Sequence, residues 1–493
     1  MTDDRPNVLL VLTDQERYDL SAPDGPPVET PTMDRLSSEG LRFERAFTPI
    51  SICSSARASL LTGQFPHGHG MLNNCHEADA VQPNLPTEIQ TFSEVLDANG
   101  YDCTYTGKWH VGRDQTPETF GFSYLGGSDR HHDDIDDAFR EYRRERGVPL
   151  GEVDREEELY TGDDPRDASE GTLVSAVTPV DVEETRAWFL AERTIEAIER
   201  HADAAGPFFH RADFYGPHHP YVVPEPYASM YDPDEIEPPD SYAETDDGKP
   251  QVHENYRHYR GVAGFDWELW AEGIAKYWGF VTLIDDQFER VLAALEDHGL
   301  ADETAVVHAA DHGDFVGAHR QFNKGPLAYD DTYHIPLQIR WSGVTEPGSV
   351  CNRLVHLHDL APTFLEMAGA GIPESFDARS LVPVLENGGT VPDGLEWPDS
   401  VFAQYHGDEF GLYSQRMVRT DRYKYVYNSP DIDELYDLAA DPAELQNLVG
   451  HPDYAGVRKA LRERLVDWMD RTDDPNCEWV PDVLASASTE NRV

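Results

Sequence analysis

The chain has 493 residues, of which 39% are hydrophobic and 11% aromatic, and a formal net charge of -54. That apolar content supports substantial cores, so the acidity does not signal wholesale disorder, and the length admits two domains or one large α/β domain with an appendage. The charge excludes nucleic acid and anionic membrane as partners; it also makes the chain repel itself unless salt screens it, at ~1 M over about 3 Å, which points to a salt-rich cytosol.

In chain order, the opening "MTDDRPNVLLVLTDQERYD" places acids before a short apolar run and lacks the basic stretch and cleavage site of a signal peptide. No apolar run reaches membrane-spanning length, so the expectation is a soluble, cytoplasmic protein without a membrane partner. Asn7 to Leu12, "NVLLVL", predicts a buried parallel strand that stops at Thr13-Asp14. "SSARASLLTG" after Cys53 predicts a helix, with Ser54 or Ser55 capping its first turn. From about Ser128 to Asp181 the chain is acidic and poor in apolar residues, and it reads as a surface excursion. "PFFHRADFYGPHHP" is a second strand, running into Pro217-His218. Tyr231 to Gln251, rich in Pro, Asp and Glu, reads as a loop.

"AKYWGFVTLIDDQFERVLAALEDHG" repeats apolar residues at helical spacing and ends at Gly299. "TAVVHAADHG" is a third strand, stopping at Asp311-His312. After about Pro398 the character changes. "RMVRTDRYKYVYN" alternates like antiparallel strands around Thr420-Asp421, and Tyr454 to Arg471 is an amphipathic helix. The expected architecture is a large parallel or mixed α/β domain, residues 1–397, followed by a smaller α+β subdomain and tail, residues 398–493.

Strands that deliver polar residues at their carboxyl ends build a site in an open α/β sheet. If the strands ending at Asp14 and Asp311 are neighbours, Asp14, Gln15, Asp311 and His312 can converge on one divalent cation. Oxygen donors favour calcium, magnesium or manganese, and the histidine leaves zinc open; structural hydrogen bonding is the plain alternative. The five cysteines (Cys53, Cys75, Cys103, Cys351 and Cys477) are odd in number and form no CxxC pair, which argues against a disulfide framework or zinc ribbon. Cys53 stands apart because a helix N-terminus suits an anion and would stabilise a thiolate, and Arg57 can point back at it; a buried structural cysteine is the plain alternative. Two histidine-rich stretches carry less weight. "HGHG", His67 to Gly70, lines the cleft or forms a loop, and "DRHHDDIDD", Asp129 to Asp137, is a solvated acidic loop or a cation attractor.

Cys53-Ser54-Ser55-Ala56-Arg57 with "ASLLTG" resembles the sulfatase signature, and "GYDCTYTGKWH" resembles the second signature of that family. "RPNVLLVLTDQ", "GPHHPY", "ADHGDFVGAHRQFNKG" and "ELYDLAADPAELQNL" follow in the order the family shows, across most of residues 5 to 450. The resemblance implies an alkaline-phosphatase-like fold: a large mixed sheet flanked by helices, with a smaller C-terminal subdomain of antiparallel sheet plus helix. It implies hydrolysis of a small-molecule or saccharide sulfate ester, and one divalent cation, calcium before magnesium or manganese.

It implies also that a partner enzyme oxidises Cys53 to formylglycine, whose hydrate attacks sulfur with one hydroxyl and expels sulfate with the other. By the same resemblance Asp14, Gln15, Asp311 and His312 are metal ligands, completed by residue 53. Arg57 and Lys108 hold the hydrate, and His110 helps deprotonate its second hydroxyl. His218 and Lys324 grip sulfate and assist the leaving alcohol; Asp314 and His319 support the ligands from behind. His406, in "YHGDEFG", is a candidate substrate contact from the C-terminal subdomain.

The chain departs from the family pattern at Ser55, where proline or alanine is usual, at Gln15, where many sulfatases carry a second aspartate, and at Cys103. The Asp-Gln pair also resembles phosphonate monoester hydrolases. The alternatives are therefore a phosphonate or phosphate diester hydrolase on the same scaffold, and a non-catalytic metal- and anion-binding protein if Cys53 stays unmodified.

Overall fold

The computed structural model describes residues 5–125, 136–148, 154–169, 171–408 and 413–486. Asn7–Asp14 is the spine of the fold. Every one of its residues is buried, and successive side chains enter opposite cores: Val8, Leu10 and Leu12 one, Leu9 and Val11 the other. A strand covered on both faces must be apolar on both, which is why the sequence reads as an unbroken run.

Around this spine lies an eight-stranded mixed sheet, in the order Ser349–Cys351, Leu41–Phe43, Leu337–Arg340, Thr304–Ala310, Asn7–Asp14, Phe208–Pro217, Asp102–Gly107 and Ser123–Tyr124. The last five run parallel, and Leu337–Arg340 is antiparallel to both of its neighbours. One face carries the helices Cys53–Thr62, Phe92–Ala98 and Leu360–Met367. The other carries Pro31–Glu39, Arg186–Ala202 and Trp267–Asp297. The last begins eight residues before the stretch in which the sequence shows its helical period, capped by Asp266 accepting from the Leu269 N–H.

Ser400–Tyr405, Ser414–Thr420, Tyr423–Ser429 and Glu434–Asp437 form a separate antiparallel sheet in sequential order. Ala455–Arg471 covers it, with Leu461, Leu465 and Trp468 packed against Val418, Tyr425 and Leu435. The "HGHG" stretch belongs to this junction. The His67 ring nitrogens lie 2.7 Å from Gln404 Oε1 and 3.0 Å from the Thr472 carbonyl, and Phe65 packs edge-on against Trp468.

The acidic stretch 128–181 departs from the expected surface excursion. Asp136–Glu145 is a helix whose Phe139 and Tyr142 are buried against Phe189. Glu156–Tyr160 and Leu173–Thr178 form a small sheet completed by Tyr221–Pro224. Among the described residues of the stretch, Phe139, Tyr142, Leu159 and Val174 are buried, and the acids are mostly exposed. Most of "DRHHDDIDD" lies outside the described residues.

Candidate active site

The in-register pairing of Asn7–Asp14 with Thr304–Ala310 sets Asp14-Gln15 beside Asp311-His312 at one edge of the sheet. Phe208–Pro217 brings Asp213 and His218 to the same edge, and Asp102–Gly107 brings Lys108 and His110. The backbone turns hard here. Gln15 and His110 hold φ of 69° and 55°, a sparsely populated region that costs of order 1 kcal/mol for a residue with a side chain. Gly107, at φ 95°, passes so close to Asp213 that a Cβ would sit 1.9 Å from its carbonyl oxygen. That close passage lets the Lys108 N–H donate to the same carbonyl at 3.0 Å.

The helix Cys53–Thr62 aims its N-terminus at this edge. The expected capping by Ser54 or Ser55 is absent: Ile52 occupies the capping position without a side-chain cap. Asn74 substitutes from outside, its Oδ1 accepting from the Ser54 N–H at 3.2 Å, while Ser54 Oγ accepts from the Cys75 N–H. The Ser55 hydroxyl is buried without a hydrogen-bond partner among the described residues. Cys53, 1% exposed, places Sγ 3.2 Å from His312 Nε2 and 3.8 Å from Asp14 Oδ1. Burial, then the charge of Asp14, pushes its thiol up to about 11. Desolvation thus outweighs the pull of the helix end on this thiol.

Arg57 points at the carboxylates. Its Nε donates to Asp311 Oδ2 at 2.8 Å, one terminal nitrogen to Asp213 Oδ2 at 2.6 Å and the Lys108 carbonyl at 2.9 Å, and the other to Asp14 Oδ2 at 2.9 Å. Lys108 Nζ adds a contact of 2.5 Å to Asp14 Oδ2. Burial alone would raise the Asp14 pKa, but Lys108 and Arg57 outweigh it and hold the carboxyl well below the usual range. With Oδ2 of Asp14 and of Asp311 committed to Arg57, their Oδ1 atoms remain toward Cys53 and the Gln15 N–H.

One donor atom each from Asp14, Cys53, Asp311 and His312 lies within 4.8 Å of the others, the only such group among the described residues. His312 bonds the Gly313 carbonyl through Nδ1 at 2.9 Å, which turns Nε2 toward the group. Carboxylate oxygens and an imidazole around one point suit a divalent cation. Gln15 sits beside them. Its amide donates to Asp314 Oδ2 and Asn323 Oδ1, and its carbonyl oxygen accepts from Lys324 Nζ at 2.7 Å. Asp314 is pinned further by Tyr221 and the Val316 N–H. His319 stands elsewhere: it stacks on Tyr329 at 3.5 Å and joins Glu244 to Asp331, anchoring the segment that carries Lys324.

Around the group, His218 bonds the His219 carbonyl through Nδ1 at 2.6 Å, and its Nε2 faces Lys324 Nζ at 3.0 Å. Burial, then Lys324, holds His218 well below the ordinary imidazole value, so it is neutral and accepts from the ammonium. His110 Nε2 lies 2.9 Å from His76 Nδ1, and His76 Nε2 lies 3.1 Å from Glu77 Oε1. Cys53, Lys108, His110, His218 and Lys324 open on one cavity of about 780 Å³.

The C-terminal subdomain contributes Asp408 to that cavity, not the expected His406, which lies near Arg416 and Asp474 instead. Sequence reading missed Asp213, although it lies on the strand that ends at His218. It also missed Asn74 and His76, which sit in a loop with no motif of its own, and Asn323, the neighbour of Lys324.

Comparison with known proteins agrees with this geometry. The sulfatase family profile matches residues 6–370, and a profile described as N-sulphoglucosamine sulphohydrolase, C-terminal, matches residues 317–471. The sulfatase YidJ of Escherichia coli (strain K12) is 29% identical over 96% of this chain and 88% of its own. An N-acetylglucosamine-6-O-sulfatase of Bacteroides thetaiotaomicron is 26% identical over 94% of this chain and 86% of its own. Among solved structures, a phosphonate monoester hydrolase from Silicibacter pomeroyi superposes with a TM-score of 0.80 at 24% identity, covering 95% of this chain and 96% of its own.

Proposed function

From the premise that this chain belongs to the sulfatase family and is a sulfate ester hydrolase, we propose that it works with residue 53 as formylglycine beside a divalent cation, calcium first, on a sulfated saccharide in a salt-rich cytoplasm. The observation that carries the reading is the buried group of Asp14, Cys53, Asp311 and His312 at the floor of a cavity flanked by Lys108 and Lys324. The saccharide is proposed from the N-acetylglucosamine-6-O-sulfatase among the relatives, and the salt-rich setting from the charge of -54.

The cation supplies Lewis-acid polarisation and acidifies a hydroxyl beside it; the formylglycine hydrate supplies one hydroxyl for attack on sulfur and another for release of sulfate. Asp14, Asp311 and His312 hold the cation, with Gln15 beside them, and Arg57 fixes both carboxylates in place. Asp14, Asp213 and Asp311 are matched in charge by Arg57, Lys108 and Arg211. Lys324 Nζ bonds Gln15 Oε1 and His218 Nε2, and its positive charge faces the anionic group in transfer. Lys324 and His218 form one hydrogen-bonded pair, so a proton stands ready as the leaving oxygen gains charge. His110, tied to His76 and Glu77, takes a proton from the residue 53 side.

Mass spectrometry of the tryptic peptide Ala46 to Arg57, from protein made in its own host, tests the modification. Aldehyde in place of thiol supports it; an intact, alkylatable thiol overturns it and moves the non-catalytic binding reading forward. A second reading, phosphonate or phosphate diester hydrolysis, is favoured by Gln15, which leaves the cation one negative charge fewer than an aspartate there. Relative turnover of an aryl sulfate and an aryl phosphonate monoester separates the two.

A further inference from the structure

The loop 74–77 carries no motif, yet three parts of the fold converge on it. The Cys75 N–H donates to Ser54 Oγ, on the helix Cys53–Thr62, at 3.1 Å. Arg113, which follows the strand Asp102–Gly107, donates through Nε to the Cys75 carbonyl at 3.0 Å and through a terminal nitrogen to that of Glu77. From the C-terminal subdomain, Asp408 accepts from the Asn74 N–H at 3.2 Å and from its side-chain amide at 3.1 Å. A loop tied on three sides fixes the direction of its side chains, and His76 stands beside His110 in the cavity wall.

The contact between the two rings is directional. His76 Nδ1 lies 2.9 Å from His110 Nε2, with the ring centres 5.0 Å apart and the planes inclined by 24°. Nitrogens that close exclude face-to-face stacking, so the rings meet edge to edge and the line between them follows a ring lone pair. One nitrogen carries the proton and the other accepts it. Glu77 decides which. Its Oε1 is 3.1 Å from His76 Nε2, and an ionised carboxylate only accepts, so the His76 proton sits on Nε2. Nδ1 of the neutral ring is then the acceptor, and His110 donates to it from Nε2.

We propose that His76 is a positioning residue: backed by Glu77, it holds His110 as the Nε2–H tautomer, with its ring fixed for the proton transfer that accompanies release of sulfate. This rests on the sulfate ester reading of the site and deepens it, because it assigns a residue outside every motif to one half of the reaction. Release of sulfate from residue 53 is common to all substrates, so His76 governs turnover and not substrate choice.

Long-range proton–nitrogen NMR of the full chain, with nitrogen-labelled histidine rings and His110→Gln for assignment, reads the tautomer without any turnover. The expected spectrum shows His110 protonated at Nε2 in wild type and in His76→Asn, whose Oδ1 stands where Nδ1 was. In His76→Ala the two tautomers should mix. A bare Nε2 on His110 in wild type overturns the proposal, as does an unchanged spectrum in His76→Ala. The kinetic readout is hydrolysis of 4-nitrophenyl sulfate, whose good leaving group makes sulfate release the slow half. His76→Ala should lower kcat and KM together, on the order of 10–100-fold, with kcat/KM within about twofold of wild type. His76→Asn should recover most of kcat. Glu77→Gln, at a more exposed side chain, should show a smaller loss of the same kind and carries the test if His76→Ala does not fold. Parallel loss of kcat and kcat/KM marks a merely structural role and overturns the proposal. Absent turnover in wild type overturns the sulfate ester reading by itself, and the ring spectra still decide the role of His76.

Discussion

At the scale of single residues, Arg57 decides whether the site holds together. It is fully buried and spans Asp14, Asp213 and Asp311. Removing one partner of such a cluster leaves charges buried and uncompensated, a loss of about 3–5 kcal/mol. Arg57→Ala is therefore expected to lower stability by roughly that amount in chemical denaturation under KCl, and to abolish sulfate ester turnover. Cys53→Ala, Asp311→Ala and chelation are each expected to cut turnover by on the order of 10³ or more, whereas Cys75→Ala keeps it; retained turnover in Cys53→Ala sinks the proposed chemistry. The positions of Asp14 and Asp311 were readable because a buried strand announces its own end. The partners of Arg57 were not, since they lie 43, 156 and 254 residues away along the chain.

At the scale of elements, the helices that carry the site are fixed from outside their own sequence. Cys53–Thr62 takes its cap from Asn74, so the local propensity of Ser54 and Ser55 misled. Pro31–Glu39 shows the same arrangement. Thr30 provides no side-chain cap, and Asp285 on the helix Trp267–Asp297 accepts from the N–H groups of Thr32 and Met33, each at 2.9 Å. Burial raises the Asp285 pKa to about 7 in spite of those bonds. A carboxyl raised in the folded state contributes stability that is present below its unfolded pKa and is lost as pH rises through the folded value. Denaturation midpoints in KCl should thus fall between about pH 4 and 7 by this group's share, on the order of a few kcal/mol, and Asp285→Asn should flatten that slope. An unchanged slope in the variant removes Asp285 as its source.

At the scale of the whole molecule, the large mixed sheet and the separate C-terminal antiparallel sheet follow from patterns visible in the chain: two-faced apolar runs first, alternating ones after Pro398. The stretch 128–181 was opaque for a physical reason. Among its described residues the acids are mostly exposed and dominate composition, while the few apolar residues that tie it to the fold, Phe139, Tyr142 and Leu159, are buried. The charge of -54 carries its own prediction. Screening should raise Tm by roughly 10 °C or more between low salt and molar KCl, read by calorimetry; a Tm indifferent to KCl argues against the salt-rich setting.

The burial of Cys53 also sets a clock. His312, whose Nε2 lies 3.2 Å from its sulfur, is 259 residues downstream, and Lys324 follows later still. A ribosome adding about 5–20 residues per second needs of order ten seconds or more to supply them. Throughout that interval the thiol is uncovered, and once the parallel strands have closed it is 1% exposed. Any enzyme that converts this side chain must therefore work during synthesis or on an unfolded chain, and a molecule that folds first is locked in its unconverted state.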